Sequence, residues 1–211
     1  MCGRFYMEPD DPVIRDFMEQ VNRSPIAGVF HARFGQSPAA GEIAPAAVVP
    51  VLAFSRGGSR AVFPMRWGFS LPAASGRPAS RPVINARAET AGEKPLFRDA
   101  WKEHRCVIPA SRYFEWEHTL LPNGKKKTGA KYAIRPADGS VVWLAGLYRL
   151  EDSLPVFVVL TREAAPTVSR IHDRMPLILP EDAAGEWIRP DADPARLLLQ
   201  ARTEMACSLA G

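Results

Sequence analysis

The sequence predicts an α+β fold, mainly a curved antiparallel sheet or partly closed β-barrel with peripheral helices. Three observations carry that reading. Short β-rich runs outnumber helical patterns, and most are joined by short connections rich in turn residues. No regular β–α–β alternation appears, which disfavours a doubly wound parallel sheet.

Taken in order, DDPVIRDFMEQV (10–21) predicts a helix. Acids precede Pro12 at its first turn, and Val13, Ile14, Phe17, Met18 and Val21 form an apolar stripe at helical spacing. Residues 22–45 read as a loop, punctuated by Gly35, Pro38, Gly41 and Pro45. AAVVPVLAF (46–54) and AVFPMRW (61–67) read as a hairpin around SRGGSR, and LPAASGRPASRP (71–82) as a flexible loop. A short amphipathic helix is expected around Leu96 to Trp101. RCVIPASRYFEWEH follows as one or two strands, and LPNGKKKTG as a solvated hairpin tip. KYAIRP, VVWLAGLYRL, LPVFVVLTRE and RMPLILP read as further strands. APTVSRIH, EDAAGEWIR and DPARLLLQAR read as helices, the last closing the chain.

At 211 residues the chain is long enough to bury a core without disulfide or metal staples, and one domain over 1–211 is expected. No apolar run approaches the roughly 20 residues of a bilayer span, and MCGRFYMEPDDP carries acids where a secretory leader is apolar. A cytoplasmic monomer is the expectation, nucleoid-associated if the source is bacterial. The net charge of +4 favours an anionic partner without specifying one. Cys2, Cys106 and Cys207 are odd in number and without C-x-x-C spacing, so neither a disulfide framework nor structural zinc is expected, and no metal or cofactor is implied. Cys106 reads as a small core residue, and Cys207 carries no signal. Walker A, G-x-S-x-G, H-E-x-x-H and G-x-G-x-x-G patterns are absent from the sequence.

The chemistry concentrates in four places. Cys2 stands directly behind Met1, where chain on one side only is available to bury it, so packing is a weak reason for it. If Met1 is removed, Cys2 presents an amine and a thiol on adjacent carbons. An aldehyde condenses with such an amine to an imine, and the thiol adds to the imine carbon to close a thiazolidine. At pH 7 roughly a tenth to a fifth of such an amine is neutral and a few per cent of an ordinary thiol is thiolate. Holding both beside the carbonyl therefore supplies much of the gain. An incidental Cys2 with Met1 retained is the plain alternative.

In PVINARAET, Asn85 and Arg87 would share one strand face, offering amide and guanidinium groups to an anionic ligand. A turn-forming Asn beside a surface Arg is the plainer reading of this stretch taken alone. In RYFEWEH, Tyr113, Glu115 and Glu117 would share one face and Phe114 and Trp116 the other. Aromatic neighbours can desolvate Glu115 and raise its pKa, although a half-exposed Glu over a core strand also fits. In SRIHDRMPLILP, His172 sits between an expected helix and strand with Asp173 and Arg174 beside it, a setting for function or for a capping role. His31, His104 and His118 lack such company and read as surface residues.

MCGRF, IAP (43–45), RWGF (66–69), INARAET (84–90), W-x-x-x-R-C-x-x-P (101–109), RYFEWE (112–117) and IHDRMPLIL (171–179), in this order, resemble the SRAP family of abasic site processing proteins. The resemblance is strongest over 2–188, and the tail 189–211 diverges. It implies an SRAP-like fold and an enzyme that senses abasic sites in single-stranded DNA. In that family's chemistry the terminal cysteine, here Cys2, captures the ring-opened sugar as a thiazolidine crosslink, which shields the lesion during the DNA damage response. The resemblance further implies that Asn85 holds the terminus, that Glu115 opens the sugar ring and shuttles protons, and that His172 supports the imine stage and its reversal. It places Arg4, Pro45, Trp67, Arg87 and Arg174 on the DNA, and brings AP-lyase and autopeptidase activities with it. The sequence departs from the family at Glu42, where Asn is common, in LPAASGRPAS, which lacks a second Trp, and at its end, which lacks a late P-V-S-x-x-V stretch. Two other readings stand beside it: an amidohydrolase with an N-terminal cysteine nucleophile, and a non-covalent single-strand binder.

Overall fold

The computed structural model describes residues 2–55, 57–71, 81–120 and 126–210. Most of the loop expected at 71–82, residues 121–125 of the hairpin tip expected at 121–129 and Arg56 of the SRGGSR turn lie outside the described residues; the rest of that tip, 126–129, is strand rather than turn.

The elements run β1 (Arg4–Met7), α1 (Pro12–Asn22), α2 (Pro25–Phe34), β2 (Gly41–Ile43), β3 (Val48–Phe54), β4 (Arg60–Trp67) and β5 (Asn85–Arg87). They continue α3 (Arg98–Glu103), β6 (Arg105–Ala110), β7 (Arg112–Leu120), β8 (Lys126–Pro136), β9 (Val142–Glu151) and β10 (Leu154–Glu163). The chain ends α4 (Pro166–Ser169), β11 (Arg174–Pro176), β12 (Ile178–Leu179), α5 (Glu181–Trp187), α6 (Pro194–Leu198) and β13 (Met205–Leu209).

Two sheets form. The first, in the order β13-β8-β7-β1-β2, is antiparallel throughout. The second runs β11-β10-β4-β3-β6-β9-β12, and an added β9–β10 pairing turns it back on itself as a partly closed barrel. The fold is thus the mainly antiparallel α+β architecture of the sequence reading, with two short parallel contacts, β10 to β4 and β10 to β5.

Alternation along the barrel strands explains why their sequences are apolar on nearly every residue. Cys106, Ile108, Leu144, Phe157 and Val159 join the cluster that also holds Phe5, Tyr113 and Ile134 of the first sheet. Val107, Ala145, Leu147, Val156, Val158 and Leu160 face the other way, against Phe97, Trp187 and Leu197 near α3, α5 and α6. Both faces are covered, so both parities are hydrophobic. Gly146 lets this layer close: a Cβ there would stand 2.8 Å from Ile108 Cδ1 and 2.9 Å from the Val158 carbonyl oxygen.

Three local expectations are corrected. Residues 22–45 hold α2 and β2 rather than a continuous loop. Pro25 opens α2, and Gly35, expected as loop punctuation, closes it in a left-handed conformation. The strand β1 was not legible in MCGRFYM, although it lies between β2 and β7. The closing DPARLLLQAR forms only the five-residue α6, and the chain ends as β13 paired to β8.

Arg105 fixes the helical layer. Its guanidinium is 2% exposed and lies over the Trp187 ring. It donates to the carbonyls of Trp101 and Lys102 at the end of α3, and to those of Trp187, Arg189 and Ala192 at and beyond the end of α5. The Trp101, Lys102 and Trp187 carbonyls are ones that a helix terminus leaves without partners, and the negative end of each helix dipole faces the cation. Lysine has neither the planar fork nor enough donors to replace it. Arg105→Lys is expected to destabilise the protein by about 2–4 kcal/mol in urea unfolding, because several buried carbonyls lose their partners at once.

Candidate functional site

Cys2, Asn85, Glu115 and His172 come from four separate segments. β1 carries the terminus in, edge to edge with β7: Arg4 pairs with Phe114 and Phe5 with Tyr113. Phe5 packs 5.0 Å from Trp67, which stacks on Phe157. The result corrects the expectation for Cys2. Its side chain is fully buried, in the cluster that also holds Phe5, Tyr113 and Ile134.

Asn85 reaches that terminus. β5 runs parallel to β10 with Asn85 opposite Val159. Its Nδ2 donates to the Cys2 carbonyl at 2.9 Å, while its Oδ1 is buried without a hydrogen-bond partner. Trp67 supports the approach, since its Nε1 donates to the Ile84 carbonyl at 2.9 Å. Being wholly buried, Trp67 has no face for a nucleic-acid base, so its expected place on DNA is corrected to a core residue beneath Asn85. Gly68 must be glycine here: its φ is +120°, and a Cβ would lie 2.9 Å from Pro82 Cβ.

On β7 the alternation holds through Glu115 and then breaks. A register shift between Trp116 and His118 takes Glu117 out of the expected common face with Tyr113 and Glu115. Glu115 is 3% exposed, and that burial pushes its carboxyl above the ordinary carboxylate range. Burial likewise pushes the Cys2 thiol well up, and the Glu115 charge adds to it. Tyr113, one residue pair away, buries a hydroxyl that has no hydrogen-bond partner.

His172 sits between α4 and β11. Its Nδ1 accepts the Arg174 backbone N–H at 2.9 Å, while Asp173 Oδ1 also stands 2.9 Å away. Nδ1 can accept the Arg174 N–H only when unprotonated and could donate to the Asp173 carboxylate only when protonated, so it cannot serve both. The backbone N–H is fixed by β11, whereas the Asp173 carboxylate is 82% exposed, so the N–H holds the lone pair and the neutral ring carries its proton on Nε2. Burial pushes the His172 pKa below its ordinary value, favouring that neutral form. His118 was read as an isolated surface residue; it is exposed, but its ring meets His172 edge-on with centroids 5.6 Å apart.

The expected DNA-contacting residues divide. Arg87 is exposed, and Arg4 and Pro45 are half-buried. Arg174 gives its guanidinium to Glu89 in a two-pronged ion pair. Glu42, where the family commonly has Asn, binds Lys131 at 3.0 Å. Sequence reasoning passed over Glu89, His118 and Cys207. Cys207 reaches the row of Ile134 and Tyr113 through β13, a pairing with no signal in the sequence. Among the described residues no group of three or more His, Cys, Asp or Glu could hold a metal ion.

Comparison with known proteins follows from this geometry. The model of the SOS response associated peptidase (SRAP) family matches residues 1–209. The chain belongs to the SRAP family. Abasic site processing protein YoqW of Bacillus subtilis is 30% identical over 209 residues, covering 95% of this chain and 87% of that protein. Abasic site processing protein YedK of Escherichia coli is 33% identical over 132 residues, covering 61% of this chain and 55% of that protein. A crystal structure of a Bacteroides thetaiotaomicron protein superposes with a TM-score of 0.72 at 21% identity, covering all of this chain and 92% of that one.

Glu115 gives the SRAP site a pH signature in stability. A carboxyl whose pKa is raised by folding binds its proton more tightly in the native state. The stability it contributes is therefore full below the unfolded pKa of about 4.3 and is lost as pH rises through the folded value. Glu115→Gln is expected to raise the melting temperature at pH 8 by about 2–4 °C and to leave it little changed at pH 4, by differential scanning calorimetry.

Proposed function

We propose that this protein captures abasic sites in single-stranded DNA through a thiazolidine formed by Cys2 once Met1 is removed. The observation that carries the reading is the hydrogen bond that pins the Cys2 carbonyl to Asn85, with the buried Glu115 close enough for its charge to act on the thiol. The names of the relatives, abasic site processing proteins, support the substrate class. No described helix is long and apolar enough to cross a membrane, and a cytoplasmic monomer acting on DNA fits the reading.

The residues take the following parts. The Cys2 amine attacks the aldehyde carbon of the opened sugar, and loss of water leaves an imine. The thiol then adds across the C=N bond, its sulfur to carbon and its proton to nitrogen. Glu115, biased toward its protonated form, gives a proton to the leaving oxygen and takes one back. His172, neutral with its proton on Nε2, donates a hydrogen bond to the departing oxygen at the imine stage and to the attacking water on reversal of the link. Asn85 Oδ1, buried without a partner, stands ready to accept from the freed amine. Arg4 and Arg87 draw the strand in by its phosphates. AP-lyase activity, and self-removal of Met1, belong to the same proposal.

Intact-mass measurement tests it directly. The purified protein is expected to lack Met1 and to form a heat-stable adduct with an aldehydic abasic oligonucleotide. Cys2→Ala should abolish that adduct, and Asn85→Ala should slow it by about 10- to 100-fold through loss of positioning. The same adduct from Cys2→Ala would overturn the assignment.

A further inference from the structure

We propose that Glu89 is a positioning residue of this site: its ion pair with Arg174 clamps the His172 turn against the strand that carries Asn85. The inference rests on the proposed roles of His172 and Asn85.

The sheet register sets the problem. Val159 of β10 pairs with Gly146 on one side and Asn85 on the other, so β9 and β5 flank β10. Two residues later Thr161 pairs with Arg87 on the β5 side and with Pro176 of β11 on the opposite side. Asn85 and His172 therefore belong to segments held apart by a whole strand. Neither β5 nor β11 exceeds three residues, so few ladder bonds fix either one.

The side chains bridge the gap. Glu89 follows β5 and Arg174 opens β11. Arg174 Nη1 donates to Glu89 Oε1 and Nη2 to Oε2, each at 2.8 Å. Nη2 also donates to the Thr161 carbonyl at 2.8 Å, and the same oxygen accepts the Ala88 N–H at 2.8 Å. The segments on both flanks of β10 thus converge on one carbonyl of that strand. The backbone N–H of the same Arg174 donates to His172 Nδ1 at 2.9 Å. Holding the guanidinium holds the residue, and the residue selects the imidazole tautomer.

The energetics favour geometry over stability as the purpose. Glu89 is about half exposed (48%) and Arg174 nearly buried (15%). An ion pair with one exposed partner contributes little net stability, roughly 1 kcal/mol or less. A two-pronged guanidinium–carboxylate pair is nevertheless specific in direction. The same geometry argues against Arg174 as a phosphate ligand while Glu89 holds both of its terminal nitrogens.

Glu89→Gln in the full chain tests the clamp with two readouts. Long-range ¹H–¹⁵N spectra of the imidazoles need no DNA. Adduct formation with an aldehydic abasic single-stranded oligonucleotide is followed beside the Kd for the intact oligonucleotide of the same sequence. The wild type is expected to show His172 as a single Nε2–H tautomer, and Glu89→Gln a mixture of the two. The adduct rate should fall about tenfold or more, with the Kd for intact strand changed by less than about twofold. Glu89→Asp should recover part of the rate. An unaltered His172 spectrum would overturn the clamp. Tighter binding of the intact strand at an unchanged adduct rate would also overturn it, leaving Glu89 as a mask over Arg174. A wild-type protein that forms no adduct counts against the proposed function instead, and the spectrum alone then decides the clamp.

Discussion

The hydrogen bond from the Asn85 amide to the Cys2 carbonyl is the contact on which the arrangement turns. A chain terminus ordinarily frays, because ordering it costs entropy and few contacts repay it. Here the terminus enters beside a strand paired on both edges, and Asn85 fastens the last stretch before that strand begins. Without such a fastening, Cys2 would be held by apolar contact, which has no direction, and by a long thiol bond of 3.7 Å to the Arg4 carbonyl. With it, the carbonyl is fixed in orientation, and the α-carbon bearing the thiol follows.

The position of Asn85 has its own support. β5 is three residues long and draws its placement from β10, from Trp67 below and from the Gly68 approach to Pro82. Trp67 is in turn packed by Phe5 of β1. The loop of dependence closes: β1 packs Trp67, Trp67 bonds Ile84, and the next residue bonds Cys2. Packing and polar contacts specify the same geometry, which is the consistency expected of a well-specified fold.

Much of this was legible and some was not, for identifiable reasons. Period-two and period-three-to-four patterns located β3, β4, β6, β7, β9, β10 and α1, because each places apolar residues against a core. The grouping of Cys2, Asn85, Glu115 and His172 followed from the family resemblance rather than from spacing, since they lie on four separate segments of the chain. β1 was missed because residues 4–7 alternate Arg, Phe, Tyr and Met over too short a stretch to signal a strand. β13 was missed because MACSL has no turn or alternation to mark it. The place of Trp67 on DNA was implied by the resemblance alone; its packing against Phe5 and Phe157, which no local pattern signals, buries it in the core. Arg174 was likewise read as a phosphate ligand, since its partner Glu89 lies 85 positions away.

The electrostatics of the interior follow one direction. Burial moves Glu115 toward the neutral acid and His172 toward the neutral base, so both groups shed charge under the conditions in which ordinary counterparts would carry it. An uncharged acid and an uncharged base cost far less to enclose than an ion of either kind. They also form a pair suited to imine chemistry, one group able to pass a proton to and from the reacting atoms and the other, its proton on Nε2, able to hydrogen-bond a departing oxygen. The Cys2 thiol obeys the same rule: buried, it is held as the neutral SH, which is a poor nucleophile. On the proposed reading that is an advantage. The amine acts first, and the thiol is called on only after an imine carbon stands beside it. Proximity then replaces acidity as the source of rate, and a thiol that is inert toward other electrophiles remains competent for the one that the neighbouring amine has already bound.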